Sequence, residues 1–173
     1  MIRRPPRELL DPVTSLEAKP PSASYTETVQ VVLPNDANPL GFILGGTVMH
    51  LIDIAGAIAS HRHARRTLVT AAVDGLQFLH PIRVGDLIIL RARVTATFNT
   101  SLEVEVQVFS EETLTGKRQL TSIAYLTFAA IGEDGRGVPV PPLRLDTDED
   151  REAAEGAAAR RQARLRARKP HDL

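Results

Sequence analysis

One acid interrupts an otherwise apolar stretch of this 173-residue chain: Asp53, in Leu51-Ile52-Asp53-Ile54-Ala55-Gly56-Ala57-Ile58. An ionised carboxylate in greasy surroundings is costly without a partner. Such an acid either pairs with a nearby arginine, here Arg62 or Arg65, or serves in chemistry. Asp53 follows Gly46 by seven residues. On a helix that is almost two turns, so the two lie on nearly the same face, about 10 Å apart along the axis. Gly45-Gly46 opens that helix, where unpaired backbone N–H groups and the positive end of the dipole gather. Glycine there lets a substrate approach the backbone, or lets the helix pack closely on a sheet. An oxyanion-binding terminus and a carboxylate on one side support acyl transfer. Just upstream, Asn38 sits in Asp36-Ala37-Asn38-Pro39-Leu40-Gly41. It is either a turn residue bonding its own backbone or an amide that orients a water or a carbonyl.

Other chemistries lack their residues. There is no cysteine, which rules out a disulfide scaffold, a thiolate zinc site and a Cys nucleophile. His50 lies one turn before Asp53, while His61 and His63 end the helix, where a cation suits the dipole. Their spacing matches no zinc motif, and the chain has no Gly-x-Ser-x-Gly elbow, P-loop or dinucleotide fingerprint. Twenty-one Lys and Arg balance twenty-one Asp and Glu, which argues against a broad nucleic-acid surface. No apolar run reaches membrane-spanning length, and Met-Ile-Arg-Arg-Pro-Pro leads into no signal-peptide core. The expectation is a soluble, cytoplasmic protein with no metal and no nucleic-acid or membrane partner.

The elements that must position these residues follow from periodicity. Residues 1–24 hold five of the twelve prolines and read as an arm, with at most a short helical stretch near residues 8–10. Residues 25–143 form the domain. Residues 144–173 form a charged helical tail, acids first and bases last, capped by Asp146, Thr147 or Asp148 and read as solvated. Gly156 weakens that helix by roughly 1 kcal/mol relative to Ala. Within the domain, residues 25–33 read as a strand, 34–44 as a loop and 45–63 as the helix. Residues 68–78 read as a strand bent at Gly75. Residues 87–97 and 101–109 alternate and form a hairpin through Phe98-Asn99-Thr100, so Arg91 and Arg93 meet Glu103, Glu105 or Gln107 across the pair. After the turn Leu114-Thr115-Gly116-Lys117, residues 117–131 form the last strand. A helix apolar all round is buried on most sides. The class is therefore α+β, an antiparallel sheet wrapped around one long central helix, which is a hotdog fold. Any helix face its own sheet leaves bare needs a second subunit.

On these residues the chain resembles the acyl-CoA hydrolases of the hotdog superfamily. The likeness runs through Asp36-Ala37-Asn38-x-x-Gly41-x-x-x-Gly45-Gly46-Thr47, Ile52-Asp53-x-Ala55-Gly56-Ala57-Ile58 and Val69-Thr70-Ala71-Ala72-Val73-Asp74. It continues in Phe78-Leu79-x-Pro81, Val84-Gly85-Asp86, Thr100-Ser101-Leu102-Glu103-Val104 and Leu114-Thr115-Gly116-Lys117. It is similar to the bacterial short-chain acyl-CoA thioesterases and to the brain-type acyl-CoA hydrolase. Two departures stand out: Leu44 replaces the family's usual aromatic or His before Gly45, and Pro39 restricts Asn38 to extended backbone.

The resemblance implies roles. Asp53 and Asn38 would be the catalytic acid and amide, meeting from opposite subunits, and the Gly46 N–H would face the thioester oxygen. CoA would lie along Ala71, Ala72, Val73, Thr100, Ser101 and Leu102, with Arg161 or Arg164 from the tail. The expected reaction is hydrolysis of fatty acyl-CoA to acid and CoA, with Asp53 as general base or nucleophile. No cofactor is expected beyond the CoA of the substrate. A homodimer is the minimum, and a trimer of dimers (a hexamer) the fuller form. The rival is a non-catalytic acyl-CoA sensor on the same fold. A dehydratase using Asp53 with His50 stands third.

Overall fold

The computed structural model describes residues 16–167. The short helical stretch expected near residues 8–10 and the final basic residues lie outside them. β1 (Thr26–Val31) is followed by the long helix α1 (Gly45–Ala64), then β2 (Leu68–Phe78), β3 (Leu87–Thr97), β4 (Ser101–Glu111) and β5 (Arg118–Ala130). A second helix, α2 (Asp148–Ala167), completes the chain. The strands form one sheet in the order β1-β3-β4-β5-β2, every pair antiparallel.

Alternation explains the sheet. Leu102, Val104, Val106 and Val108 of β4 are fully buried and face α1, as do Ile88, Leu90, Ala92 and Val94 of β3. Val48, Ile52, Ala55 and Ala59 of α1 close that core. Gly56 lets helix and sheet approach: a Cβ on it would stand 3.1 Å from the Phe128 ring. The expected strand bend is present. β2 shifts register twice, between Thr70 and Ala72 and between Val73 and Gly75.

The hairpin pairing holds for Arg93, which lies opposite Glu105 with Nε 3.8 Å from Oε1. Arg91 lies opposite Gln107, but its Nε donates instead to Glu27 on the other neighbouring strand, at 2.7 Å.

The terminal helix is not simply solvated. Thr147 caps it by accepting from the Asp150 N–H at 3.1 Å, and Asp150 accepts in return from the Thr147 N–H at 3.1 Å. Ala157 is fully buried. Arg160 reaches across the outer face of the sheet to the buried Glu103, with Nε–Oε2 3.0 Å and Nη2–Oε1 2.7 Å, and stacks 3.6 Å from the centre of the Tyr125 ring. A carboxylate removed from water needs such a two-pronged partner.

His63 also departs from expectation. It does not offer a charge to the helix dipole. Its ring is fully buried, Nε2 lies 2.9 Å from the Pro141 carbonyl, and Nδ1 has no hydrogen-bond partner among the described residues. Burial holds its pKa below the ordinary value, aided by the Lys19 charge and opposed by the bond to Pro141.

Candidate active site

Helix α1 starts abruptly. Leu44 precedes it in extended conformation and offers no side-chain cap. The first-turn N–H groups of Gly45, Gly46 and Thr47 therefore have no intrahelical acceptor. Gly46 is exposed, and nothing lies within 4 Å of where its Cβ would stand. The helix glycine that serves close packing is thus Gly56, while Gly46 leaves open space at the positive end of the dipole.

Asn38 closes the loop in front of this terminus. Its Oδ1 accepts from the Leu40 N–H at 3.0 Å and the Phe42 N–H at 3.2 Å. The turn role is therefore real. It also fixes the amide so that its NH2 end carries no hydrogen bond among the described residues. Asn38 and Gly45 both line a cleft of about 290 Å³.

Asp53 lies farther along α1, half-buried, and is not a wall of that cleft. Neither arginine suggested by the sequence holds it. Arg62 turns to Thr26, donating to its Oγ1 at 3.1 Å, and to the Tyr25 carbonyl. Arg65 ends the helix in the left-handed conformation, φ 50°. The partner of Asp53 is Thr70 of β2, whose hydroxyl donates to Oδ1 at 2.6 Å. Sequence reasoning gave Thr70 no role. Its one signal was its place on the strand that follows the helix, within a motif already singled out. His50 is exposed, one turn before Asp53.

The residues expected to hold CoA gather at one end of the sheet. Ala71, Ala72 and Val73 lie on β2, an edge strand whose outer side is unpaired among the described residues. Ser101 and Val69 both lie opposite Ala129, from its two sides, which puts the β3–β4 turn two strands from the start of β2. Leu102 has its side chain in the core and its neighbours Thr97 and Phe128 on either side. Arg161 lies 4.6 Å from the centre of the Phe98 ring, and Arg164 pairs with Asp74. Asp74 also accepts from Thr127 at 3.3 Å. Among the described residues, no group of three His, Cys, Asp or Glu is placed to hold a metal ion. No described helix is long and apolar enough to cross a membrane.

Residues 40–117 match the model of the thioesterase superfamily. The chain is 32% identical over 155 residues to the human cytosolic acyl coenzyme A thioester hydrolase, covering 88% of this chain. It spans only 41% of the length of that relative. Among solved structures, an apo-hexameric acyl-CoA thioesterase is 39% identical with a TM-score of 0.83, covering 87% of this chain and 97% of that one. The Staphylococcus aureus acyl-CoA hydrolase, solved with butyryl coenzyme A, coenzyme A and coenzyme A disulfide, is 32% identical with a TM-score of 0.81, covering 87% of this chain and 92% of that one. That enzyme has also been solved with one Asp, one Asn or one Thr replaced by alanine. The three positions have the same mutual spacing there as Asp53, Asn38 and Thr70 have here. A five-stranded antiparallel sheet around a central helix, an open helix terminus and these likenesses together place the chain in the thioesterase superfamily.

Proposed function

We propose that the protein hydrolyses acyl-CoA thioesters to the free acid and CoA. The observation that carries this is Asp53: a half-buried carboxylate, with no arginine or lysine bonded to it among the described residues, held through one oxygen by Thr70 and two turns from the open N–H groups at Gly46. With Oδ1 fixed, Oδ2 is left to take a proton. Water attacks the thioester carbonyl as Asp53 removes that proton. The charge that develops on the carbonyl oxygen meets the Gly46 N–H and the helix dipole. Collapse of the tetrahedral species breaks the C–S bond, and the thiolate of CoA leaves with the proton that Asp53 took from the water, which restores the carboxylate.

Asn38 and Asp53 do not share a cleft within one chain, so the amide that orients water or carbonyl comes from the second subunit of a dimer. The hexameric relative supports a trimer of dimers. CoA lies along Ala71–Val73 and Thr100–Ser101, with Arg161 or Arg164 released to its phosphates. The chemistry draws on no metal and no cofactor beyond the CoA of the substrate. The reaction belongs in the cytoplasm, as the name of the human relative supports.

Replacing Asp53 with Asn lowers kcat for thiol release by ~10³-fold, within the range for removal of a general base, while calorimetry finds CoA still bound. Near-normal turnover rejects the mechanism. Acyl-CoA binding without thiol release by the unmodified protein favours a sensor.

A further inference from the structure

β2 is longer than the stretch of β5 it pairs with. From Leu68 to Leu76 it runs opposite Ala130 to Ala124, which leaves two residues of β2 over, Ala71 and Asp74, one at each register shift. Each is a bulge, and a bulge reverses the alternation of the side chains that follow it. Two bulges cancel, so Leu68 and Leu76 both pack against the core. Thr70 lies opposite Phe128, a core residue, and its hydroxyl faces Asp53 of α1. Moving one extra residue from position 74 to a position before Thr70 would leave both ends of the strand in place. It would set Thr70 opposite Ala129, which lies between the buried Phe128 and Ala130 and points to the other face of the sheet, away from Asp53. The second extra residue is held where it is. The Asp74 carboxylate accepts from the Thr127 hydroxyl at 3.3 Å and pairs with Arg164 of α2. The Asp74 side chain is only 8% exposed.

We propose that Asp74 is a positioning residue: held by Thr127 and Arg164, it latches the second bulge of β2 and so keeps the Thr70 hydroxyl on Asp53. The inference rests on the hydrolase reading, in which Asp53 is the base and Thr70 fixes one of its oxygens. Two physical costs make the latch. Moving the bulge past Thr70 would bring Asp74 opposite Leu126, a core position, where its charge would have no partner. It would also break a charge-assisted pair largely shielded from water, which is stronger than an exposed one. Ala71, the residue of the first bulge, has no polar side chain to be held in this way. The contact carries α2 into the chemistry: its Arg164 sets the register of the strand that follows α1. Of the two arginines offered to the CoA phosphates, Arg164 is thereby committed to β2, and Arg161 remains.

The test is thiol release by the full chain from butyryl-CoA and palmitoyl-CoA, for Asp74→Ala and Asp74→Asn, each alone and combined with Thr70→Val. Amide hydrogen exchange of the same proteins, read by mass spectrometry, reports on β2 directly. Sedimentation checks the assembly, and should Asp74→Ala fail to assemble, the isosteric Asp74→Asn carries the test. Asp74→Ala is expected to lower kcat by about 10-fold, and by no more than Thr70→Val does, since it acts through that hydroxyl. KM should stay within about twofold. Asp74→Asn keeps an acceptor for both partners and falls in between. In the Thr70→Val background either change should cost less than about twofold, because coupled residues do not add. Exchange over residues 68–74 should quicken by about 10-fold while β3 and β4 stay protected. Equal losses with and without Thr70 overturn the inference, as does unchanged exchange over residues 68–74. A lower KM at unchanged kcat also overturns it, since Asp74 would then only hold Arg164 back from the substrate. In each of these cases the hydrolase reading stands. If the unmodified protein releases no thiol, the hydrolase reading fails on its own, and exchange alone decides whether Asp74 latches the strand.

Discussion

A single hydroxyl decides what Asp53 can do. The Thr70 bond at 2.6 Å fixes the carboxylate without neutralising it, as an arginine would. Thr70→Val keeps the shape and removes the donor. The expected result is a kcat lower by about 10- to 100-fold with KM nearly unchanged, since hydrogen bonds to charged groups are worth about 1.5–3 kcal/mol. Thr70→Ser should restore most of the rate, and an unchanged kcat in the valine variant removes Thr70 from the site. His63 makes a second residue-scale case. Its folded pKa lies below its unfolded value because burial disfavours the charged ring. Its contribution to stability is therefore complete above about pH 6.5, the unfolded value, and is lost as the pH falls below it, where the unfolded chain takes up the proton first. Melting temperatures measured from pH 7.5 to 5 should fall for the unmodified protein. They should fall less steeply for His63→Gln, from a lower plateau.

Each helix has one close contact on the sheet that a substitution can probe. α1 meets the sheet at Gly56, where any larger residue presses on the Phe128 ring. Gly56→Val should destabilise by about 1–3 kcal/mol, the usual cost of overpacking a core, as read by urea unfolding. α2 is fastened by the Arg160–Glu103 pair, and Gly156 leaves room for that guanidinium: a Cβ there would stand 3.2 Å from its Nη1. The glycine that weakens the helix on its own thus helps dock it. Arg160→Met strands a buried carboxylate and should cost about 3–5 kcal/mol. Arg160→Met combined with Glu103→Leu should recover much of that loss, because the unpaired charge is then gone. Equal stability of the single and double variants would contradict this account.

For the whole molecule, the uncovered side of α1 is the determining feature. Met49 and Ile54 on the helix and Val73 on β2 remain about half-exposed, beside an edge strand with an unpaired side. Exposed apolar side chains of this kind favour a partner, and the composite site proposed above requires one. Ile54→Asp should yield monomers by sedimentation, retain the far-ultraviolet signature of the fold and lose thiol release by more than about 100-fold, since the loss of a catalytic group costs that much or more. Monomers with full activity would show that one chain suffices.

The sequence by itself determined the elements and their class. Period-two alternation in residues 101–108 and an all-round apolar helix are local patterns, and each admits few architectures. It also singled out Asp53, because a charge inside an apolar run is visible without coordinates, and Gly46, because helix spacing puts it on the same face, while the likeness in motifs lent Asn38 its expected role. Only the tertiary structure decided partners. Thr70 reaches Asp53, Arg91 turns to Glu27 rather than across its hairpin, His63 is buried beside Pro141, and α2 lies on the sheet instead of in solvent. Each of these contacts joins residues far apart in the chain. Local periodicity tells which face a side chain takes, but the element it meets there depends on strand order, register and helix docking, which the energy of the whole fold selects.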